Sequence, residues 1–342
     1  MKIITTNSMK LKQINVEIVK STLKLEKYNT KASIASATGL SIATCGNILK
    51  ELLLTGEVLE VDLKPSTGGR PSRRFVYNEN YAYVAVIYAR KEGNYNSLSC
   101  VVSNIIGVNV YETYIEHNDI TIKELEHAVE MLLNIYPNIK VLGLGIPGVV
   151  SKGIVGICDF KNLSHIPIEN HFSNKYKLLV VAENDLNCTA IGFYSKSQYK
   201  INENLAYIYY PVDGNPGSGI IINGEILWGQ TNFAGEVSFL PLNISSKDKG
   251  NIQKNSPLFS ELVAKTIVTI NCIINPKSVV LSGYCFSEQI IESIKSFLCS
   301  LIPDAHIPEM IFEEDIHDSY INGLTSMALE KLSCSIKIVE KN

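Results

Sequence analysis

From Tyr81 onward, short β-rich runs alternate with stretches of helical periodicity, an order that commits this part of the chain to an α/β fold with mixed sheets. The β-rich runs fall at 81–89, 98–102, 108–115, 141–146, 178–182, 206–210, 219–222 and 278–281. Helical spacing occupies 122–135, 184–194, 260–274 and 287–300. Asn223-Gly224 is a tight-turn pair leading into a further short run at 225–228. No internal repeat stands out at the level of residues. With 342 residues, the chain has room for about two domains.

The first 80 residues follow another pattern. Leu11, Ile14, Ile18 and Leu23 lie at near-helical spacing, and Thr30 is placed to cap a second helix over 31–38. Gly39 then supplies a turn, and Ser41 caps a third helix reaching about Leu54. Ile34, Ala35, Gly39, Leu40, Cys45 and Ile48 have the spacing of a helix-turn-helix: the small Ala35 permits close helix approach and Gly39 permits positive φ. Two β-rich runs, 58–63 and 74–77, then flank a Pro/Ser/Gly loop, which makes a hairpin with a basic tip. This is the layout of a winged helix.

Charge divides the same way. Residues 1–80 hold nine Lys and three Arg against seven Asp/Glu, a net of +5; since the whole chain is −3, the rest carries −8. A basic head on an acidic body points to an anionic polymer as the partner of the head. The third helix would present Ser41, Ile42, Thr44, Asn47 and Lys50 outward, with Asn47 suited to an adenine edge and Lys50 to a phosphate. In the wing, Gly68 and Gly69 allow close backbone approach to a groove and Pro71 stiffens the exit. Arg70, Arg73 and Arg74 suit the negative potential of a narrow A·T-rich minor groove. The plainer alternative is a three-helix protein-contact module. The wing with its arginines favours double-stranded DNA.

No apolar run approaches the ~18–20 residues of a membrane span, and the N-terminus lacks the apolar core of a signal peptide, so a cytoplasmic protein with no membrane partner is expected. Eight scattered cysteines form no CxxC pair and no zinc spacing, and read as reduced core residues.

A winged helix followed by Gly68-Gly69-Arg70-Pro71 and an α/β body resembles the repressor branch of the ROK family (repressor, open reading frame, kinase). Further landmarks are similar to that family's sugar-kinase domain. They are Gly143-Leu144-Gly145-Ile146-Pro147-Gly148, Glu183-Asn184-Asp185-Leu186-Asn187, Ile221-Ile222-Asn223-Gly224, Gly235-Glu236-Val237, and Val279-Val280-Leu281-Ser282-Gly283. The resemblance implies a winged helix-turn-helix over 1–79 and a two-lobed, actin-like or sugar-kinase-like domain over 80–342. It also implies that Arg70 enters the minor groove beside an operator half-site, and that in a family kinase the aspartate at the Asp185 position is the general base. Independently of the resemblance, a sugar's vicinal hydroxyls are best held by carboxylates and carboxamides on rigid strand ends. Asn184, Asp185 and Glu236 fit that chemistry, and the loop at Pro147 and Gly148 joins them as candidate effector contacts. The competing structural reading makes Asp185 a helix cap and Glu236 a solvated loop charge.

The departures from the family pattern bear on catalysis. The kinase-type DxGxT phosphate loop is replaced by Ile87-Tyr88-Ala89-Arg90-Lys91-Glu92-Gly93, and the second, GTG-type loop by Asp213-Gly214-Asn215-Pro216-Gly217-Ser218-Gly219. The first offers one glycine and no aspartate; the second puts a carboxylate and a proline where backbone N–H groups would hold phosphate. Phe239 stands in place of the zinc-binding histidine, and the stretch after it has no cysteine, so no metal and no cofactor is expected. Trp228 and Phe239 offer aromatic faces for a pyranose ring or for core packing. The expectation is a DNA-binding regulator, a homodimer or homotetramer, repressing carbohydrate genes in response to a sugar-like effector and with no catalytic residues. The alternatives are an effector-independent DNA-binding protein whose body only oligomerises, and a sugar kinase with an appended DNA-binding module.

Overall fold

A computed structural model of the chain describes residues 3–61, 73–92, 95–197, 199–211, 215–242 and 256–332. The head comprises α1 (Ile3–Leu25), α2 (Lys31–Thr38), α3 (Ile42–Thr55), β1 (Val58–Val61) and β2 (Arg74–Tyr77). Thr30 and Ser33 cap α2 reciprocally: the Thr30 hydroxyl accepts from Ser33 N and the Ser33 hydroxyl from Thr30 N. Gly39, at φ +70°, ends α2 in the left-handed region, which turns the chain into Ser41 and α3. β1 and β2 pair antiparallel, and Asn29 adds a bridge to Phe75, so the hairpin is tied to the end of α1. The head's core is built from Val19, Leu23, Ile34, Leu49 and Phe75, and the body residues Ala82 and Ile105 complete it. The head therefore shares packing with the body. The segment between β1 and β2, with Gly68, Gly69, Arg70 and Pro71, lies outside the described residues.

Two five-stranded sheets form the body. The first contains β3 (Tyr83–Glu92), β4 (Tyr95–Asn104), β5 (Asn109–His117), β6 (Ile139–Ile146) and β9 (Leu179–Asn184), in the order β5-β4-β3-β6-β9. The second contains β10 (Leu205–Tyr209), β11 (Gly217–Ile222), β12 (Glu225–Ile226), β13 (Ser278–Ser282) and β14 (Glu309–Glu313), in the order β12-β11-β10-β13-β14. In each, three antiparallel strands are followed by two that run parallel to the first. One plan is used twice, although no repeat is visible among the residues. β7 (Gly148–Ser151) and β8 (Ile154–Cys158) form a small hairpin after β6.

Helices α4 (Ile122–Ile135) and α5 (Ile168–Tyr176) cover the outer face of the first sheet, and α7 (Ser256–Ile274) and α8 (Glu288–Leu301) that of the second. Between the sheets lie α6 (Asp185–Lys196) and α9 (His317–Leu332). Their apolar residues, including Cys188, Ala190, Tyr320 and Leu324, pack on Val84 and Val86 of one sheet and Tyr207 and Val280 of the other. The two helices touch through glycine. A Cβ on Gly192 would lie 1.8 Å from Ser319 O, and one on Gly323 would lie 1.8 Å from Cys188 O.

Several expectations are adjusted. The hairpin β7–β8, α5, β14 and the start of α1 were not legible as elements. α7 is the one described helix long and apolar enough to cross a membrane, contrary to the sequence expectation that no such run exists. Its Phe259, Val263, Ile267 and Ile270 are buried against the second sheet. Cys45, Cys100, Cys158 and Cys188 are buried, but Cys272 and Cys299 are exposed and so are not core residues. Cys334 lies outside the described residues.

The α6–α9 contact leaves no room for a methyl group against rigid backbone. Gly323→Ala is expected to lower stability by ~3 kcal/mol or more, read as the shift of the denaturant midpoint. An unchanged midpoint would remove the crossing from the account.

Candidate functional site

Between the two sheets opens a cleft of about 410 Å³, and every residue singled out from the sequence for effector contact reaches it: Pro147, Gly148, Asn184, Asp185 and Glu236. Each is placed by a strand end. β6 delivers Pro147 and Gly148, where a Cβ on Gly148 would meet Ile157 O at 2.4 Å, so the β8 backbone lies directly beneath. β9 delivers Asn184 as the N-cap of α6. Glu236 follows Gly235, whose carbonyl accepts from both the N–H and the hydroxyl of Ser218 on β11 at 3.0 and 2.9 Å.

Asn184 differs from the expectation. Its Oδ1 accepts from Leu186 N and Asn187 N, and its Nδ2 donates to Gly148 O at 3.0 Å and to Asp185 Oδ1 at 2.9 Å. All four hydrogen-bonding positions of the amide are filled by protein, so Asn184 orients Asp185 and the Gly148 loop and offers the cleft no free polar atom. Asp185 is not the cap, as the competing reading had it, but the first residue of α6. Its Oδ1 also accepts from its neighbour's N–H, Leu186 N, at 2.9 Å.

Sequence reasoning missed Asp159, held by a hydrogen bond from its N–H to Pro147 O at 3.0 Å. It also missed Lys91 at the end of β3. Asp159, Asp185 and Glu236 thus converge on one cleft, with Lys91 the cation that acts on Asp159. Burial pushes the Asp185 carboxyl up to about 7, against the hydrogen bond from Leu186 N, and the charges of Asp159 and Glu236 push it further the same way. Burial also raises Glu236 and Asp159 above the usual carboxylate range. Near neutral pH Asp185 therefore exchanges between hydrogen-bond donor and acceptor, which suits a hydroxyl partner that can be either.

The aromatics divide. Phe239 is 64% exposed, lines the cleft and pairs with Phe233 at 5.2 Å. Trp228 does not line the cleft, which corrects the expectation that it offers a face to a ring. Its Nε1 donates to Glu183 Oε2 at 2.8 Å, while Glu183 Oε1 accepts from Asn184 N and Asn187 Nδ2. This buried carboxylate ties the second sheet's hairpin to the end of β9. Its sequence signal was the first residue of the Glu183-Asn184-Asp185 run.

Of the two phosphate-loop stretches, the first is extended strand through Glu92, paired residue by residue with β4. In the second, Asp213 and Gly214 lie outside the described residues, while Asn215, Pro216 and Gly217 line the cleft. Among the described residues no group of three His, Cys, Asp or Glu is placed to hold a metal ion. Residues 243–255, which follow Phe239, are not among them.

On the head, Ile42, Asn47 and Lys50 of α3 share a shallow groove with Arg73 at the base of the wing. The Ser41 hydroxyl caps α3, accepting from Thr44 N at 3.1 Å, and pairs with the Thr44 hydroxyl at 2.9 Å. Arg73 pairs with Glu60 at 3.1 Å, and Arg74 lies over the Tyr28 ring. Asn47 and Lys50 stand exposed on α3.

A two-lobed α/β body with strand-end acids in its interlobe cleft, joined to a winged helix, defines the class. Residues 98–252 match the ROK family model. It is 27% identical to the xylose repressor of Caldicellulosiruptor bescii over 248 residues, 69% of this chain and 61% of that protein. With the xylose repressor of Bacillus subtilis it shares 22% identity over 244 residues, 69% of this chain and 62% of that one. The chain thus spans about three fifths of the length of these curated relatives. The N-acetyl-D-glucosamine kinase of Pasteurella multocida is 33% identical over 126 residues, 36% of this chain and 40% of the kinase. Among solved structures, a ROK family transcriptional regulator, a homologue of the E. coli MLC protein, superposes with a TM-score of 0.67 at 15% identity, covering 94% of this chain and 98% of its own. The ROK hexokinase of Thermus thermophilus gives 0.61 at 13% identity, over 74% of this chain and 100% of its own. These structures establish the ROK sugar-kinase-like fold.

Two measurements follow. Because the folded state holds the Asp185 proton more tightly than the unfolded chain, it binds more protons between pH 4 and 7, and stability falls as pH rises through that window. Asp185→Asn keeps the acceptor for Asn184 Nδ2 and removes the charge. It is expected to flatten that slope and to raise stability at pH 8 by about 1–3 kcal/mol in chemical denaturation; an unaltered slope would assign the titration elsewhere. Trp228→Phe removes the donor to buried Glu183 and is expected to cost ~1–3 kcal/mol.

Proposed function

We propose that the chain is a cytoplasmic, sugar-responsive DNA-binding repressor. Its winged head reads a double-stranded operator and its interlobe cleft takes a small carbohydrate-like effector. The observation that carries this reading is the pairing of two sites in one chain. A helix-turn-helix with exposed Asn47 and Lys50 sits at one end, and an interlobe cleft with strand-end carboxylates at the other. The winged helix occupies about 1–79 and the effector domain 80–342. Two copies of the head, brought together by the bodies in a homodimer or homotetramer, would match a palindromic operator.

In this reading α3 enters the major groove, Asn47 reads a base edge, and Lys50 and Arg73 hold phosphates. The Ser41 cap, with Thr44 bonded to it, sets the exposed first turn of α3 against the backbone, and Arg70 with Gly68, Gly69 and Pro71 enters the minor groove. In the cleft Asp185, Glu236 and Asp159 meet hydroxyls, Pro147 and Gly148 close one side, and Asn184 holds Asp185 in place. Xylose-repressor relatives make a pentose or hexose the first effectors to try.

The two xylose repressors match over 248 and 244 residues, and the N-acetyl-D-glucosamine kinase over 126. A non-catalytic body is supported by strand in place of the first phosphate loop and by Pro216 in the second. ATP turnover dependent on sugar and lost in Asp185→Asn would overturn it.

Selection from a randomised duplex pool should return a palindromic site. Lys50→Ala should weaken binding to it about 3–10-fold and reduce the salt slope by about one, and Arg70→Ala should weaken it more. Recovery of no sequence above background would sink the reading. A thermal-shift panel of D-xylose, D-glucose and N-acetyl-D-glucosamine should raise Tm for at least one sugar, and Asp185→Ala should abolish that rise. A chain that binds DNA but no sugar would instead be a DNA-binding protein whose body serves assembly alone.

A further inference from the structure

Tyr320 lines the cleft and carries a buried polar atom. The side chain is 1% exposed, and its hydroxyl has no hydrogen-bond partner among the described residues. The hydroxyl reaches the end of β6: a Cβ on Gly145 would lie 2.3 Å from it, so the glycine makes the space it occupies. Its ring stacks on Tyr88 at 4.2 Å. The Asp185 carboxylate is close enough to act on it electrostatically. Asp185 in turn uses its Oδ1 for Leu186 N and Asn184 Nδ2, and Oδ2 accepts no bond among the described residues. An unsatisfied buried hydroxyl costs free energy that a hydroxyl-bearing ligand would recover.

Tyr320 also lies in the first turn of α9, and α9 is held differently at its two ends. At the N-terminal end it is clamped to both sheets. His317 bonds the Tyr88 hydroxyl through Nδ1 and Glu112 Oε1 through Nε2 at 2.7 Å, which fixes it to the first sheet. Ser319 Oγ donates to Glu313 Oε1 at 2.8 Å, and Glu313 Oε2 accepts from Tyr207 on the second sheet. The middle of α9 is pinned to α6 at Gly323. At the C-terminal end, Leu332 packs both against the inter-sheet core and against the cluster that the head's core shares with Ala82 and Ile105 of the body. One helix of 16 residues, about 24 Å long, thus runs from the cleft to the DNA-binding head.

We propose that the Tyr320 hydroxyl is a ligand contact shared with Asp185, and that α9 carries cleft occupancy to the winged head through Leu332. The proposal rests on the sugar-responsive reading and adds to it the contact and the route. A sugar hydroxyl seated between Asp185 Oδ2 and the Tyr320 hydroxyl bonds to both lobes' shared helix. Any change in the angle between the sheets turns the first turn of α9, and because the Gly192–Gly323 crossing leaves no slack, the far end moves with it. The ligand biases the head only through its different affinity for the two arrangements.

The test uses the full chain, D-xylose and D-glucose as probes, and the duplex selected by the wild-type chain. Tyr320→Phe deletes only the hydroxyl and should unfold no earlier than wild type, but its sugar affinity by calorimetry should drop about tenfold. Leu332→Ala should keep wild-type sugar affinity, yet the ratio of duplex Kd with and without saturating sugar should fall to near one. Wild-type sugar binding with an unaltered Kd in Tyr320→Phe overturns the contact. A full ratio in Leu332→Ala overturns the route. If the wild-type chain binds neither sugar, the sugar-responsive reading fails, and this proposal with it.

Discussion

The structure depends on one contact, the crossing of α6 and α9 at Gly192 and Gly323. The two sheets share a core filled by these two helices. Backbone meets backbone at the crossing, so the helices cannot separate to admit a side chain or slide without leaving the core. α6 begins at Asp185, in the cleft, and α9 begins beside it at His317 and Tyr320. The pair that holds the lobes together is therefore also the pair that presents the cleft chemistry.

That arrangement explains why the cleft acids are unusual. A carboxylate at the start of a helix normally gains from the helix dipole. At Asp185 burial outweighs this, and Asp159 and Glu236 add like charge. The Asn184 amide, spent entirely on the protein, keeps the carboxyl in place despite that repulsion. Glu183 supports Asn184 from behind and is itself satisfied by Trp228 from the second sheet. The site is a chain of supports that ends in one carboxyl poised near neutrality.

Much of this was legible in residues. The capped turn Thr30–Ser41, the wing strands and the alternation after Tyr81 each carry local signals that the structure repeats, because capping and pleat chemistry act over a few residues. Pro147, Gly148, Asn184, Asp185 and Glu236 could be picked out because the motifs that hold them resemble those of the ROK family, and because carboxylates and carboxamides on strand ends suit a sugar's hydroxyls. Asp159 and Lys91 were missed, since each reaches the cleft through a hairpin or strand end whose local sequence is ordinary. Tyr320 was missed because a tyrosine in an apolar helix reads as core, and it is core; only the three-dimensional neighbourhood shows its hydroxyl without a partner among the described residues. The duplicated sheet plan escaped notice because topology is set by pairing, which different residues satisfy equally well.

The central claim is that the cleft and the head are coupled through the fold. Coupling between two ligands is reciprocal, so sugar affinity must change when the operator is bound by the same factor as operator affinity changes when sugar is bound. Calorimetric titration of D-xylose or D-glucose into the free chain and into the chain saturated with its selected duplex measures this directly. The account predicts affinities that differ by about fivefold or more, matching the factor measured from the DNA side. Equal sugar affinity for the free and the DNA-bound chain would contradict it.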